Sequence, residues 1–395
     1  MSHDLLFSAL AGGLTGRGLI RFLFPVVLVL PACSDTFDYE AEEFRVFRDD
    51  PEVTITREEG ERILLELKER IDNGEEIGGT LRGLLVLAGE QFVSEHPWAP
   101  AVLSEADRMA LDDKAAVYRR LMHHGLDSRG FVPGCDGLLF SSLLQASGYG
   151  VDLHQAEAPG RSGLWFRSAT RDCFSTSRSP STISRDMVLG LAMAFWQSAD
   201  LKSVQSFNRY VEANSGVIGE AEDEQVQFGR AFMTPALTAI WHELDYRLGG
   251  DFHHLRAYIP EFDEPLTGFE AHLQVLRILL RGLMYGGLIE QDLDLLAKQV
   301  ERQPRNGLFL ALYHGFTDGD QSRAAAVLLD ESLFPSGRLP TTADRCEPYL
   351  WQREMSRKNT GPCGDSPAIL APVDYLFVHA LIRGTVRGAP AEEGQ

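Results

Sequence analysis

Six strongly apolar segments recur along the chain from residue 136 onward, and they constrain the fold more than any other feature. They read DGLLFSSLLQASG from Asp136, SRDMVLGLAMAFW from Ser184, GRAFMTPALTAIW from Gly229, GFEAHLQVLRILLRG from Gly268, NGLFLALYHGF from Asn306 and APVDYLFVHALIRG from Ala371. Each opens with polar or small residues and is apolar around most of a helical circumference, which is the pattern of helices covered on several sides. Between them lie amphipathic stretches with one apolar stripe, at Leu201 to Asn214, Ile289 to Glu301 and Asp320 to Asp330, the last with Asp320 placed to cap it. Three more precede the apolar set, at Thr56 to Ile71, Thr80 to Ser94 and Ser104 to His123. In the third, Ser104 is an N-cap, and Glu105 and Asp107 sit in the first turn, where the helix dipole favours acids. Strand-like alternation is scarce, so the expected fold class is all-α.

Inner helices alternating with outer ones at this spacing resemble an α/α toroid, in which inner helices ring an axis and outer helices wrap them. Gly150 to Thr182 and Asp251 to Thr267 lack a convincing outer helix, so the expected ring is incomplete or irregular. The alternatives are a helical bundle or an α-solenoid, although no residue-level repeat marks a regular solenoid. The expected organisation is a single helical domain over 52–386, an acidic flexible tether over 33–51 and a disordered tail over 387–395.

In toroid-like enzymes the cleft forms at the N-terminal ends of inner helices, where backbone N–H groups and side chains converge. The residues at those positions here are Asp136, Arg185 with Asp186, Arg230 with Thr234, Glu270 with His272, Asn306 and Asp374. Recurrent carboxylates there fit glycosidic cleavage, which uses one as acid and another as base or nucleophile. Each alone also reads as a helix cap. Ser184 can cap its own helix, which leaves Arg185 and Asp186 without a local duty. The expected catalytic pair is therefore Asp186 with Asp136 or Asp374.

The loop before Ser184 carries the sharpest charge contrast. Between Gly160 and Arg185 lie Arg161, Arg167, Arg171, Arg178 and Arg185 against the single acid Asp172, in a chain of net charge −20. With Trp165 interleaved, the loop fits a surface that stacks on a sugar while guanidinium groups pair with an anion. Arg185, Arg167, Trp165, Arg230, His272 and Asn306 are thus substrate-binding candidates, with Trp351 on an opposite wall. For a uronate polymer, β-elimination is the competing chemistry, with Arg185, His272 or Asn306 neutralising the carboxylate and Tyr313 as base.

The acidic balance opposes nucleic-acid binding. Neither a GxSxG elbow, a P-loop nor a dinucleotide fingerprint leading into a helix occurs, and no cysteine or histidine spacing fits a metal site, so no cofactor or metal is expected.

Near the start, Arg17 and Arg21 flank an apolar run, FLFPVVLVLPAC, that ends at Leu30, Pro31, Ala32 and Cys33. This run resembles the lipobox of bacterial lipoproteins. The resemblance implies that residues 1–32 are a signal peptide, that Cys33 is lipidated, and that the chain is anchored to the cell envelope by lipid alone, at the outer membrane in a two-membrane cell. Ten or so apolar residues are too few to cross a hydrocarbon core of about 30 Å. Four cysteines then remain, and an oxidising compartment favours the pairs Cys135–Cys173 and Cys346–Cys363. The combined expectation is a lipid-anchored protein that binds and cleaves a carbohydrate polymer, by hydrolysis or elimination. Its alternative is a non-catalytic helical lipoprotein that serves as envelope scaffold or as glycan- or protein-binding module.

Overall fold

A computed structural model describes residues 96–171, 173, 183–220, 230–250, 264–267, 270–345 and 367–386. The expected signal peptide, tether, first two amphipathic helices and C-terminal tail lie outside these residues, as do Cys33, Cys346, Trp351 and Cys363. The chain divides into two compact units. One comprises Met1–Phe92, Thr234–Ala239 and Leu255–Phe262, of which only 234–239 is described. The other comprises Val93–Met233, Ile240–His254 and Asp263–Gln395, and holds every residue discussed below unless stated.

The architecture is helical, as the pattern predicts. In chain order the helices are α1 (Glu105–Leu121), α2 (Gly137–Ala146), α3 (Arg185–Ser198), α4 (Leu201–Ala213), α5 (Pro235–Arg247), α6 (Glu270–Tyr285), α7 (Glu290–Arg302), α8 (Gly307–Gly315), α9 (Ser322–Leu328) and α10 (Val373–Ile382). The Ser104 side chain accepts from the Asp107 N–H at 3.0 Å, so the expected cap of α1 is in place. Asp320 sits one residue before the observed cap of α9, Gln321, and its carboxylate accepts from the Ser322 N–H.

The apolar helices α2, α3, α6, α8 and α10 are buried along nearly their whole length, whereas α1, α4, α7 and α9 bury one stripe. Packing runs from α10 to α2, from α2 to α3 and from α3 to α6. It continues from α6 to α7, from α7 to α8, and from α8 back to α10. The α2–α3 contact is close because of Gly190: a Cβ there would lie 3.0–3.2 Å from Leu139. Gly190 is in the second turn of α3 and Leu139 in the first turn of α2, so this packing brings the N-terminal halves of the two helices together.

One segment departs from the helical reading. Residues Val217–Glu220 (β1) and Arg230–Phe232 (β2) pair as an antiparallel ribbon, so the apolar run from Gly229 begins as a strand. The helix starts later, at Pro235, a residue suited to the first helical position because it lacks only an N–H that a helix start does not use. The Thr234 hydroxyl accepts from the Leu237 N–H at 3.2 Å, within the other compact unit.

Candidate functional site

Two pairs of side chains, each from separated parts of the sequence, lie at the N-terminal ends of buried helices: Asp136 with Arg167 at α2, and Asp186 with His272 at α3 and α6. Asp186 is the second residue of α3 and only 2% exposed. Its Oδ1 accepts from the Met187 N–H at 3.0 Å and from the Ser184 hydroxyl. Its Oδ2 lies 3.9 Å from Nε2 of His272, which is fully buried in the first turn of α6. Burial alone would raise the Asp186 pKa. The neighbouring His272, the hydrogen bond from the Ser184 hydroxyl and the positive charge of Arg167 outweigh it, and the carboxyl titrates below its usual value. Asp186 is therefore an ionised acceptor beside a buried imidazole.

Asp136 precedes α2 without capping it through its side chain. Its carboxylate instead pairs with Arg167 Nη1 at 3.3 Å, and that nitrogen also donates to the Cys135 carbonyl at 3.4 Å. The Arg167 backbone is fixed as well, since its carbonyl accepts from the Leu138 N–H at 2.7 Å. Glycine is required at 137 for this approach, because a Cβ there would fall 2.5 Å from the Val132 carbonyl oxygen. The expected disulfide Cys135–Cys173 is present, with Cα atoms 5.5 Å apart. It ties the arginine-bearing loop to the start of α2.

The remaining candidates fall elsewhere. Arg185 opens α3, half-buried, with its Nε donating to the Phe232 carbonyl at 3.2 Å. Trp165 corrects the expectation of a sugar-stacking platform: it is 1% exposed, with its ring 5.7 Å from His154 and 5.8 Å from Phe195. The alternation of arginines around it marks a loop whose apolar residues turn inward. Asn306 is the buried cap of α8, accepting from the Phe309 N–H and donating to Gln303. Asp374 is clamped by Arg345 through contacts of 2.7 and 3.1 Å, both residues being buried. Arg230 lies in β2.

Sequence reasoning treated Ser184 as a cap, yet it makes no side-chain cap bond and turns its hydroxyl to Asp186. The only signal was its position two residues before an aspartate. It also passed over an open cleft of about 450 Å³ lined by His154, Glu157, Ala158, Pro159, Gly160, Ser162 and Arg171. The Pro159-Gly160 pair was the available sign. With Gly160 at φ +72° and the Arg161 N–H bonded to the Ala158 carbonyl, it forms the turn that walls the cleft.

Among the described residues, no cluster of His, Cys, Asp and Glu could hold a metal ion, and no helix is long and apolar enough to cross a membrane. Comparison with protein-family models, with curated proteins and with solved structures gave no match.

Proposed function

We propose that this chain is a lipid-anchored envelope protein whose helical domain is an irregular α/α toroid, and that it binds and cleaves a carbohydrate polymer at the Asp136–Arg167–Asp186–His272 cluster. The observation that carries the reading is the pairing of Asp136 with Arg167 at the start of α2 and of Asp186 with His272 at the starts of α3 and α6, with the positive charge of Arg167 contributing to the lowered Asp186 pKa. The closed packing circuit of α10, α2, α3, α6, α7 and α8 supports the toroid.

Asp374 is committed to Arg345, which leaves Asp136 as the second carboxylate. In hydrolysis, ionised Asp186 orients His272, which gives a proton to the departing glycosidic oxygen as that C–O bond breaks, while Asp136 takes the proton of the water that forms the new C–O bond. In elimination from a uronate, Arg167 and His272 neutralise the sugar carboxylate, Asp136 takes the adjacent proton, and the glycosidic oxygen departs, protonated by water, as the C=C bond forms. Incubating the chain from Ser34 onward with neutral and anionic polysaccharides tests the proposal. New reducing ends alone identify a hydrolase, and reducing ends with the ultraviolet absorbance of unsaturated uronates identify a lyase. Absence of both signals across the panel would contradict cleavage.

One observation favours a second reading. Asp186 and His272 are 2% and 0% exposed, the burial expected of a pair that joins α3 to α6 in a non-catalytic envelope scaffold. A soluble partner or glycan retained on the protein without turnover would support that reading.

A further inference from the structure

The cleft between His154 and Arg171 carries a guanidinium that no carboxylate among the described residues pairs with. The Arg171 guanidinium lies 5.6 Å from the centre of the Phe166 ring and donates from Nη2 to the Gln155 carbonyl at 3.1 Å. Its Nε is buried without a protein partner, and among the described residues no carboxylate pairs with it, in a chain of 57 acids against 37 bases. Arg171 also holds a left-handed backbone, φ +59°, which a side chain with a Cβ adopts only at a cost. Ser168 holds it there, accepting from the Arg171 N–H through both its hydroxyl and its carbonyl at 3.2 Å. Neither the ion-pair pattern nor backbone preference explains an arginine at this position.

The acid in the same cleft is already engaged. Glu157 Oε1 accepts from the Gly163 N–H at 2.8 Å and the Ser162 hydroxyl at 3.3 Å, and its Oε2 lies 2.8 Å from His154 Nδ1. His154 Nε2 in turn lies 3.9 Å from Asp200 Oδ2, so this imidazole sits between two carboxylates. Among the described residues no direct pair therefore cancels the Arg171 charge, while Glu157 and Ser162 offer hydrogen-bonding groups beside it.

We infer that this cleft is a subsite for an acidic sugar, with the carboxylate of a uronic acid against Arg171 and the sugar hydroxyls against Glu157 and Ser162. A guanidinium suits a planar carboxylate, and the neighbouring oxygens suit a polyol. The choice of ligand rests on the carbohydrate reading above, but the subsite is independent of cleavage at Asp186.

Calorimetric titration of the chain from Ser34 onward with D-glucuronate, D-glucose and sodium sulfate tests it. Glucuronate is expected to bind at least tenfold more tightly than glucose or sulfate. Arg171→Gln is expected to weaken glucuronate at least tenfold, and Asp186→Asn to leave it unchanged. Arg171→Gly removes the guanidinium while easing the left-handed backbone. It should lose binding equally and unfold at the same or a higher temperature, which keeps the test valid if the glutamine variant folds poorly. Equal glucuronate affinity in wild type and both Arg171 variants, absence of glucuronate binding, or tighter sulfate than glucuronate would overturn the proposal. Glucuronate binding through Arg171 in a protein that cleaves no polymer would sustain the subsite and contradict the cleavage reading instead.

Discussion

Asp186 and Asp374 occupy the same position in two buried helices and are used differently. Each is the second residue of its helix, and each accepts from the N–H of the next residue at 3.0 Å. Asp374 then meets a guanidinium in two-pronged fashion, and the Arg345 carbon is stacked 5.0 Å from the centre of the Phe334 ring. Nearby, buried Lys114 bonds to Glu331 and to the Leu328 and Phe334 carbonyls. Asp186 meets a serine hydroxyl and an imidazole at 3.9 Å. A tight planar pair holds a fold together and has nothing left to exchange. A carboxylate beside an imidazole can hold or move a proton. In the proposed reading the Asp374 end serves structure and the Asp186 end serves chemistry.

The largest expected effect breaks the structural end. Asp374→Ala removes the carboxylate paired with buried Arg345 and should cost about 3–5 kcal/mol, read as a lower denaturation midpoint. Replacing both residues together, as Arg345→Met with Asp374→Leu, should recover most of that loss, because an apolar pair of similar volume carries no uncompensated charge. A double variant as unstable as the single one would show that the pair itself, not its imbalance, sustains the fold.

Next in size is the disulfide. Cys135 and Cys173 are separated by 38 positions, and removing both sulfurs should cost about 4 kcal/mol in the chain-entropy model. Reduction should also loosen the Arg167 loop, so any polysaccharide cleavage should fall in parallel with stability. Cleavage that survives reduction at a temperature where the fold persists would detach Arg167 from the reaction.

Smaller effects come from acid titration. His379 on α10 is buried, and burial pulls its pKa below the ordinary 6.5 despite the bond to Asp112. The unfolded chain takes up that proton first, so stability should fall as pH drops below about 6.5, by at most about 1.4 kcal/mol per pH unit for one proton. His379→Gln should flatten that slope in pH-dependent urea denaturation. Asp186 acts at lower pH: its depressed pKa contributes stability that is present above the usual carboxylate value and lost as pH falls through the folded one. Asp186→Asn should remove that second loss and leave the His379 slope untouched.

Much of the helical pattern was legible because each buried helix is apolar over several turns and opens on a polar residue. Asp136, Asp186 and His272 could be located by position, and Arg167 by the charge contrast of its loop. The short ribbon was not legible, since strands of four and three residues are too brief to show a period. Trp165 was misread for a physical reason: the arginines around it are polar whichever way the loop folds, so they do not report which face the ring takes. The different partners of Asp374 and Asp186 were also hidden. They depend on which group lies opposite each carboxylate, and Arg345 and His272 are 29 and 86 residues away in sequence.

The most direct test of the central claim compares Asp186→Asn with Asp374→Asn in the polysaccharide assay, at a temperature where circular dichroism shows both variants folded. Asp186→Asn is predicted to lose cleavage by up to about 10²–10⁴-fold, the usual contribution of the positioned acid or base that Asp186 orients, with a small change in stability. Asp374→Asn is predicted to unfold at a lower temperature while its folded fraction cleaves at the wild-type rate. Wild-type turnover by Asp186→Asn, or equal loss of turnover in both variants while both remain folded, would contradict it.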